Sequence, residues 1–302
     1  MGKASRASAA ASGGRRDRGQ ADNARQRLAA SRAAAQQRAE VRRRLLLAGG
    51  SVAVVVLLVV AFVVVKLNQS PAAPQAAQTN ARIAAEVASV PASTLNVVGT
   101  GTSTGLKPLS GVSELTADGK PEVLYIGGEF CPFCAAERWA LATALSRFGT
   151  LSGVSFIHSS PTDGDIPTLT FYKSSYTSKY LTFTPVEWYG EADDASTPFG
   201  HVYLQQPTAQ ETALFDRYSG GSIPFLDIAN RYLLPQTQYS PEDISGLTWA
   251  QIATDMQNPS SNVAKDIDGA ANRLTAAMCT LTHGQPGGVC TSDGVKAAQA
   301  SN

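Results

Sequence analysis

The chain has 302 residues, 43% hydrophobic and 16% charged, and its formal net charge of +1 hides a strong asymmetry. Residues 1–44 carry 12 Lys/Arg against three acidic residues, Asp17, Asp22 and Glu40, a net of +9; the remaining 258 carry 13 basic and 21 acidic, a net of −8. So steep a split argues against one uniform fold and for two compartments or two partners.

Residues 1–40 are Ala, Arg, Gln, Ser and Gly with almost no large apolar side chains. Such a composition buries too little surface to offset the entropy of ordering, so residues 1–44 read as a disordered basic tail. Its arginines are read as setting topology and meeting anionic lipid heads, not as a nucleic-acid site. Next comes "LLLAGGSVAVVVLLVVAFVVV", Leu45 to Val65, without a charge. As a helix it spans roughly 31 Å at ~1.5 Å per residue, matching a hydrocarbon core of ~30 Å. Lys66, Leu67 and Asn68 follow where a cleaved signal peptide needs small residues, so a permanent transmembrane helix is expected. Arg42, Arg43 and Arg44 precede the span and only Lys66 follows closely. The positive-inside rule then places the N-terminus in the cytoplasm and residues 66–302 outside a cell membrane crossed once.

Residues 66–95 read as a linker: "LNQSPAAPQAAQTN" is Pro, Ala and Gln, and "ARIAAEVAS" (81–89) forms a short helix ended before Pro91. A globular domain is expected over 96–302, long enough for one core. "PEVLYIGG" (121–128) predicts a buried strand punctuated by a Gly pair. "FCPFCAAERWALATALSRFG" predicts a helix closed by Gly149, its apolar residues wrapping most of the circumference. "GVSFIHSS" (153–160) is a second short strand, and 168–189 has strand-like composition with seven aromatics. Residues 208–218 are helical, Phe225 to Ile228 is a strand entered through Ile223-Pro224, and 247–256 and 262–281 are two more helices. This order is that of a small α/β sandwich with additions.

The chemistry centres on "EFCPFCAAER", Glu129 to Arg138. All four cysteines, Cys131, Cys134, Cys279 and Cys290, lie after the span, where an even count favours two disulfides. Cys131 at a helix N-terminus meets unpaired N–H groups and the positive end of the helix dipole, both of which favour the thiolate. Cys134, one turn deeper on the same face, is placed to close a disulfide with it. The expected roles are therefore attack by an exposed Cys131 and resolution by a shielded Cys134. Pro132 rigidifies the turn and Phe133 offers an exposed apolar surface. A zinc site with Cys279, Cys290 and His283 fits no common ligand spacing. An inert structural bridge is the stronger competitor.

Strand, CPFC, helix, and later "SIPF" before a strand resemble a thioredoxin-fold oxidoreductase. The wider pattern, "GKPEVLYIGGEFCPFCAAERWALATALSRFG" followed by "GGSIPFLDIANRYL" and a late cysteine pair, resembles an uncharacterised family of membrane-anchored thioredoxin-like proteins over roughly residues 85–292. The resemblance implies an α/β thioredoxin-like fold with a β-rich insertion and extra C-terminal helices, preceded by one transmembrane helix. It also implies thiol–disulfide exchange outside the membrane, with Pro224 as the cis-proline opposite the CxxC. Many reducing thioredoxins carry a buried Asp six residues before the first Cys; here Tyr125 stands there. Glu129 is a partial substitute as proton acceptor, though its place beside the motif favours a solvated carboxylate. The long gap from Cys134 to Pro224 implies an insertion, assigned to 168–189, whose aromatics form a satellite core.

Weaker signals are His158 and His201, without a catalytic motif around them, and the acidic runs at 162–165 and 191–194, read as solvated loops. "CTLTHGQPGGVC" (279–290) reads as a loop closed by a structural disulfide, with an electron relay to Cys131–Cys134 as the alternative. The expectation is an extracytoplasmic thiol–disulfide oxidoreductase acting on cysteines of exported proteins, without a bound cofactor, metal or nucleic acid. If it oxidises, analogy adds a quinone-linked membrane partner resembling a vitamin K epoxide reductase. The competing reading is a tethered binding module on the same scaffold with static disulfides.

Overall fold

The computed structural model describes residues 72–301, together with Val59 and Val60. The expected tail (1–44) and, those two valines apart, the expected span (45–65) lie outside the described residues. Among the described residues no helix is long and apolar enough to cross a membrane. The cysteine-bearing part is a mixed α/β structure within the compact unit Gln75–Asn302.

Helices α1 (Ala72–Ala88) and α2 (Ala92–Val98) lead into short strands β1 (Lys107–Pro108) and β2 (Thr116–Ala117), then β3 (Lys120–Gly128) and helix α3 (Pro132–Ser146). Four short strands follow: β4 (Gly149–Ser152), β5 (Ser155–His158), β6 (Pro167–Thr170) and β7 (Ser175–Ser178). Then come β8 (Thr182–Asp193), β9 (His201–Tyr203), α4 (Ala209–Tyr218), β10 (Phe225–Ile228) and β11 (Tyr232–Leu233). Helices α5 (Trp249–Asp255), α6 (Asn262–Leu281), α7 (Gly287–Cys290) and α8 (Asp293–Gln299) complete the order.

The main sheet is mixed, in the order β1-β11-β10-β3-β8-β9, with β2 beside β3. β3 runs parallel to β8 and antiparallel to β10. Alternation along β3 sends its side chains to two faces. Val123 and Tyr125 join the large core with α3 and α6, while Leu124 and Ile126 join a smaller cluster with Val186, Phe215 and Phe225. With both faces covered, β3 reads as a continuous apolar run. Helix α3 is buried from Cys134 to Leu145. That follows from its all-round apolar surface, which packs on α6, β6 and β4 and shares the core with Val123 and Tyr125 of β3. Trp139 Nε1 donates to Pro167 O at 3.0 Å, and Thr168 Oγ1 donates to Ala135 O at 2.8 Å.

Three expectations are corrected. The linker assigned to 66–95 is helical from Ala72 on, and the globular unit does not begin at residue 96. Ile83 and Val87 are buried in the main core, because α1 presents them, four residues apart, on one face. The insertion assigned to 168–189 is misplaced at its C-terminal half. Strand β8 is the parallel partner of β3 in the main sheet, whereas the antiparallel pairs β4–β7 and β5–β6 stand outside that sheet. The strand expected at 153–160 forms as Ser155–His158 and pairs with β6, outside the main sheet. Finally, helix α3 ends at Ser146, and Gly149 instead opens β4. A Cβ there would stand 2.4 Å from Thr177 O, so the glycine serves a close strand approach. The aromatics of 168–189 do form core, with Phe171 edge-on to both Tyr125 and Phe183.

Candidate active site

Cys131 is the N-cap of α3, with Pro132 in its first turn, and its Sγ accepts the Cys134 backbone N–H at 3.3 Å. Proline suits this place because the first helical N–H has no intrahelical partner to lose. Both cysteines are free thiols here, so the bridge expected between them is open in this structure. Cys131 is not the exposed residue expected: only 4% of its surface is accessible, against none for Cys134 and 50% for Phe133. The reason is tertiary. The Ile223–Pro224 peptide bond is cis, and the Cys131 thiol points to Ile223 O at 3.9 Å, so the proline loop covers the sulfur.

The environment separates the two sulfurs. The Cys134 thiol bonding to Cys131 does most to hold Cys131 below the usual thiol range, aided by the Cys134 and Phe133 backbone N–H groups and by Arg138, against burial. Burial, then the proximity of Cys131, pushes Cys134 well above it. The outer sulfur is therefore the one that ionises.

Beside the pair lies a group of buried side chains of which only Tyr125 was singled out in the sequence. Arg138 and Glu187 are both fully buried and paired. Arg138 Nε donates to Glu187 Oε1 at 2.9 Å, and Nη2 donates to Glu187 Oε2 and Gly128 O, both at 2.7 Å. Glu187 Oε1 also accepts the Phe171 N–H at 3.1 Å. Tyr125 lies under the guanidinium, 5.9 Å from ring centre to Cζ. Burial raises its phenol well above the ordinary value, so it stays neutral. The Gly pair after Ile126 belongs to this packing: a Cβ on Gly127 would stand 2.1 Å from Tyr125 Oη, and one on Gly128 would stand 2.8 Å from the Phe130 ring. One clue to Arg138 was present in the sequence. Adjacent Glu137 and Arg138 sit inside a helix apolar all round, and charges so placed are buried and need partners.

Glu129 is half-buried, not solvated as expected; Thr170 Oγ1 donates to its Oε1 at 2.7 Å. Burial raises its carboxyl, and the Thr170 bond opposes the shift. His201 stacks on Phe130 at 3.9 Å between ring centres, while His158 packs on Trp249. Both histidines act as aromatic packing surfaces.

A groove of about 790 Å³ opens beside the thiols. Phe133, Tyr218, Ile223 and Pro224 line it together with Leu233 to Pro241. The latter segment is tied to α3: Glu137 Oε2 accepts the Gln238 N–H at 3.2 Å and Thr237 Oγ1 at 3.4 Å, and the Tyr239 hydroxyl donates to Ala136 O. Burial raises the Glu137 carboxyl to about 7.

Cys279 and Cys290 are bonded to each other, with Cα atoms 5.5 Å apart, pinning α7 to the end of α6. They are thus not the second half of a zinc site with Cys131 and Cys134. Among the described residues no group of three or more His, Cys, Asp or Glu is arranged to hold a metal ion.

Residues 110–280, more than half of the chain, match the family described as a domain of unknown function, DUF929. Neither a curated protein nor a solved structure matches the chain.

Proposed function

The chain belongs to the DUF929 family, and from its thiol site we propose that it is a thiol–disulfide oxidoreductase exchanging disulfides with cysteines of exported proteins. The observation that carries this reading is the asymmetric pair. One sulfur caps a helix with its ionisation favoured, and the other is a turn deeper with its ionisation opposed. An inert staple needs no such division. As a reductant, the Cys131 thiolate attacks a substrate disulfide, releasing one substrate sulfur and forming a mixed disulfide. Cys134 then attacks Cys131, releasing the second substrate sulfur and leaving the pair oxidised. As an oxidase the same steps run in reverse.

A thioredoxin-like fold is part of this proposal. It is supported by the strand–CxxC–helix unit of β3 and α3, the parallel β8, the antiparallel β10, and the cis Ile223–Pro224 bond at Cys131. The groove would seat a substrate chain along Phe133, Ile223 and Pro224, the residues next to the Cys131 sulfur in sequence or in space. The basic tail and the apolar run at 45–65 support an anchored protein with the thiols outside the membrane.

Trapping tests the reaction. With Cys134→Ser in the full chain, mixed disulfides with exported proteins are expected to accumulate on non-reducing gels and to collapse under reductant. Cys131→Ser is expected to leave none. Equal trapping by both variants overturns the assigned roles, and trapping by neither favours a static scaffold.

A further inference from the structure

Resting on that reading, we propose that Arg138, clamped by Glu187, is the positioning residue that lets the buried Cys134 attack or leave a disulfide as a thiolate. The guanidinium is completely enclosed, and two of its three nitrogens are occupied: Nε by Glu187, and Nη2 by Glu187 and Gly128 O. Its Nη1 is buried and has no acceptor among the described residues. A buried charged donor left unbonded is costly, and in a fork this rigid the free edge is fixed in direction. Cys134 is four residues earlier on the same helix, hence on the same face one turn away. Arg138 acts on both sulfurs in the direction that favours the thiolate.

The other groups around Cys134 do not do this work. Tyr125, reaching in from β3, is a neutral phenol. Glu187, from β8, has its oxygens committed to Arg138 and the Phe171 N–H. Cys131, at the head of α3, opposes ionisation of Cys134 while it is itself a thiolate. In the mixed disulfide Cys131 is bonded to the substrate sulfur and carries no charge. What then remains is burial, which disfavours the Cys134 anion, against Arg138 and, after it, the Gly128 backbone N–H, which favour it. In the resolving step the Cys134 sulfur bonds to Cys131 and the Cys131–substrate S–S bond breaks. The proton lost by Cys134 ends on the departing substrate sulfur, so no further reductant or base is required.

The test uses the full chain, starting reduced, and the aromatic disulfide dithiobisnitrobenzoate. Attack by Cys131 releases a first coloured thiolate, and attack by Cys134 on the adduct releases a second. Followed against pH, the second phase reports ionisation of Cys134. Replacing both partners, Arg138→Gln with Glu187→Gln, is expected to slow that phase about tenfold or more at pH 7 and to move its midpoint up by about one unit or more. Arg138→Lys, which keeps the charge, is expected to restore most of the rate. An unchanged second phase in the folded double variant overturns the inference. Measured beside the wild type, Glu187→Gln alone leaves the Arg138 charge in place and is expected to keep the midpoint of the second phase at or below that of the wild type, and a raised midpoint overturns the inference. Failure of the wild type to release the second thiolate at any pH overturns the exchange reading itself. Normal release with no response to Arg138 removes only the present inference.

Discussion

At Cys131 and Cys134, identical side chains three residues apart are made chemically different by depth. Cys131 caps the helix, where N–H groups are unpaired, whereas Cys134 lies one turn deeper, with no accessible surface. Alkylation of the reduced full chain is therefore expected to modify Cys131 with a pH midpoint below the ordinary ~8.5. Cys134 stays unmodified until the protein is denatured; mass mapping of the labelled peptides checks both statements. Native labelling of Cys134 at the rate of Cys131 contradicts them.

At the scale of elements, the late disulfide and the first helix each hold a segment that has little core of its own. Helix α7 has four residues, and the Cys279–Cys290 bond ties it to α6. Replacing both cysteines with Ser is expected to cost about 3 kcal/mol in the chain-entropy account and to leave exchange through Cys131 intact in the folded fraction. Denaturant unfolding and the dithiobisnitrobenzoate assay separate the two effects. Loss of exchange without loss of stability instead makes the bond an electron relay. Helix α1 adds Ile83 and Val87 to the core. Ile83→Ala is expected to destabilise by about 2–5 kcal/mol, the usual range for emptying a packed site. An effect near zero in denaturant unfolding returns this helix to the status of a linker.

At the scale of the whole molecule, buried carboxyls tie stability to pH. Burial raises Asp268 to about 8, only partly opposed by Arg147, and Glu137 to about 7. Both Asp268 oxygens and one Glu137 oxygen are buried without a hydrogen-bond partner. The unfolded chain ionises these groups near 4, so the folded state holds more protons above that pH. Their contribution is complete below about pH 4 and is lost as pH rises, through about 7 for Glu137 and about 8 for Asp268. Each takes up to ~1.4 kcal/mol per pH unit in its window. Denaturant midpoints are expected to fall from pH 5 to pH 8, and Asp268→Asn to flatten the fall. A rise over that interval in the wild type contradicts the assignment. Topology is a separate expectation at this scale. Protease added to intact cells is expected to remove the cysteine domain and spare the basic tail; full protection of the domain overturns the extracytoplasmic proposal.

Local order was legible in the sequence wherever one short stretch contained the whole cause. The β3 run, the CxxC at a helix start, the helix at 262–281 and the strand at Phe225–Ile228 each declare themselves through periodicity, Pro132 or composition. Partnership between distant stretches was not legible. Nothing in 182–193 says that it lies parallel to β3, nor in 153–160 that it stays outside the main sheet, because pairing depends on which edges other segments leave open. The same holds at the thiols. The chain announces two cysteines a turn apart, but their burial, the Ile223 carbonyl at 3.9 Å and the Arg138–Glu187 clamp arise only when residues 49 and 92 positions apart meet. Helix and strand propensity act over a few residues, whereas desolvation and charge pairing act through space, and it is these that divide one cysteine pair into two roles.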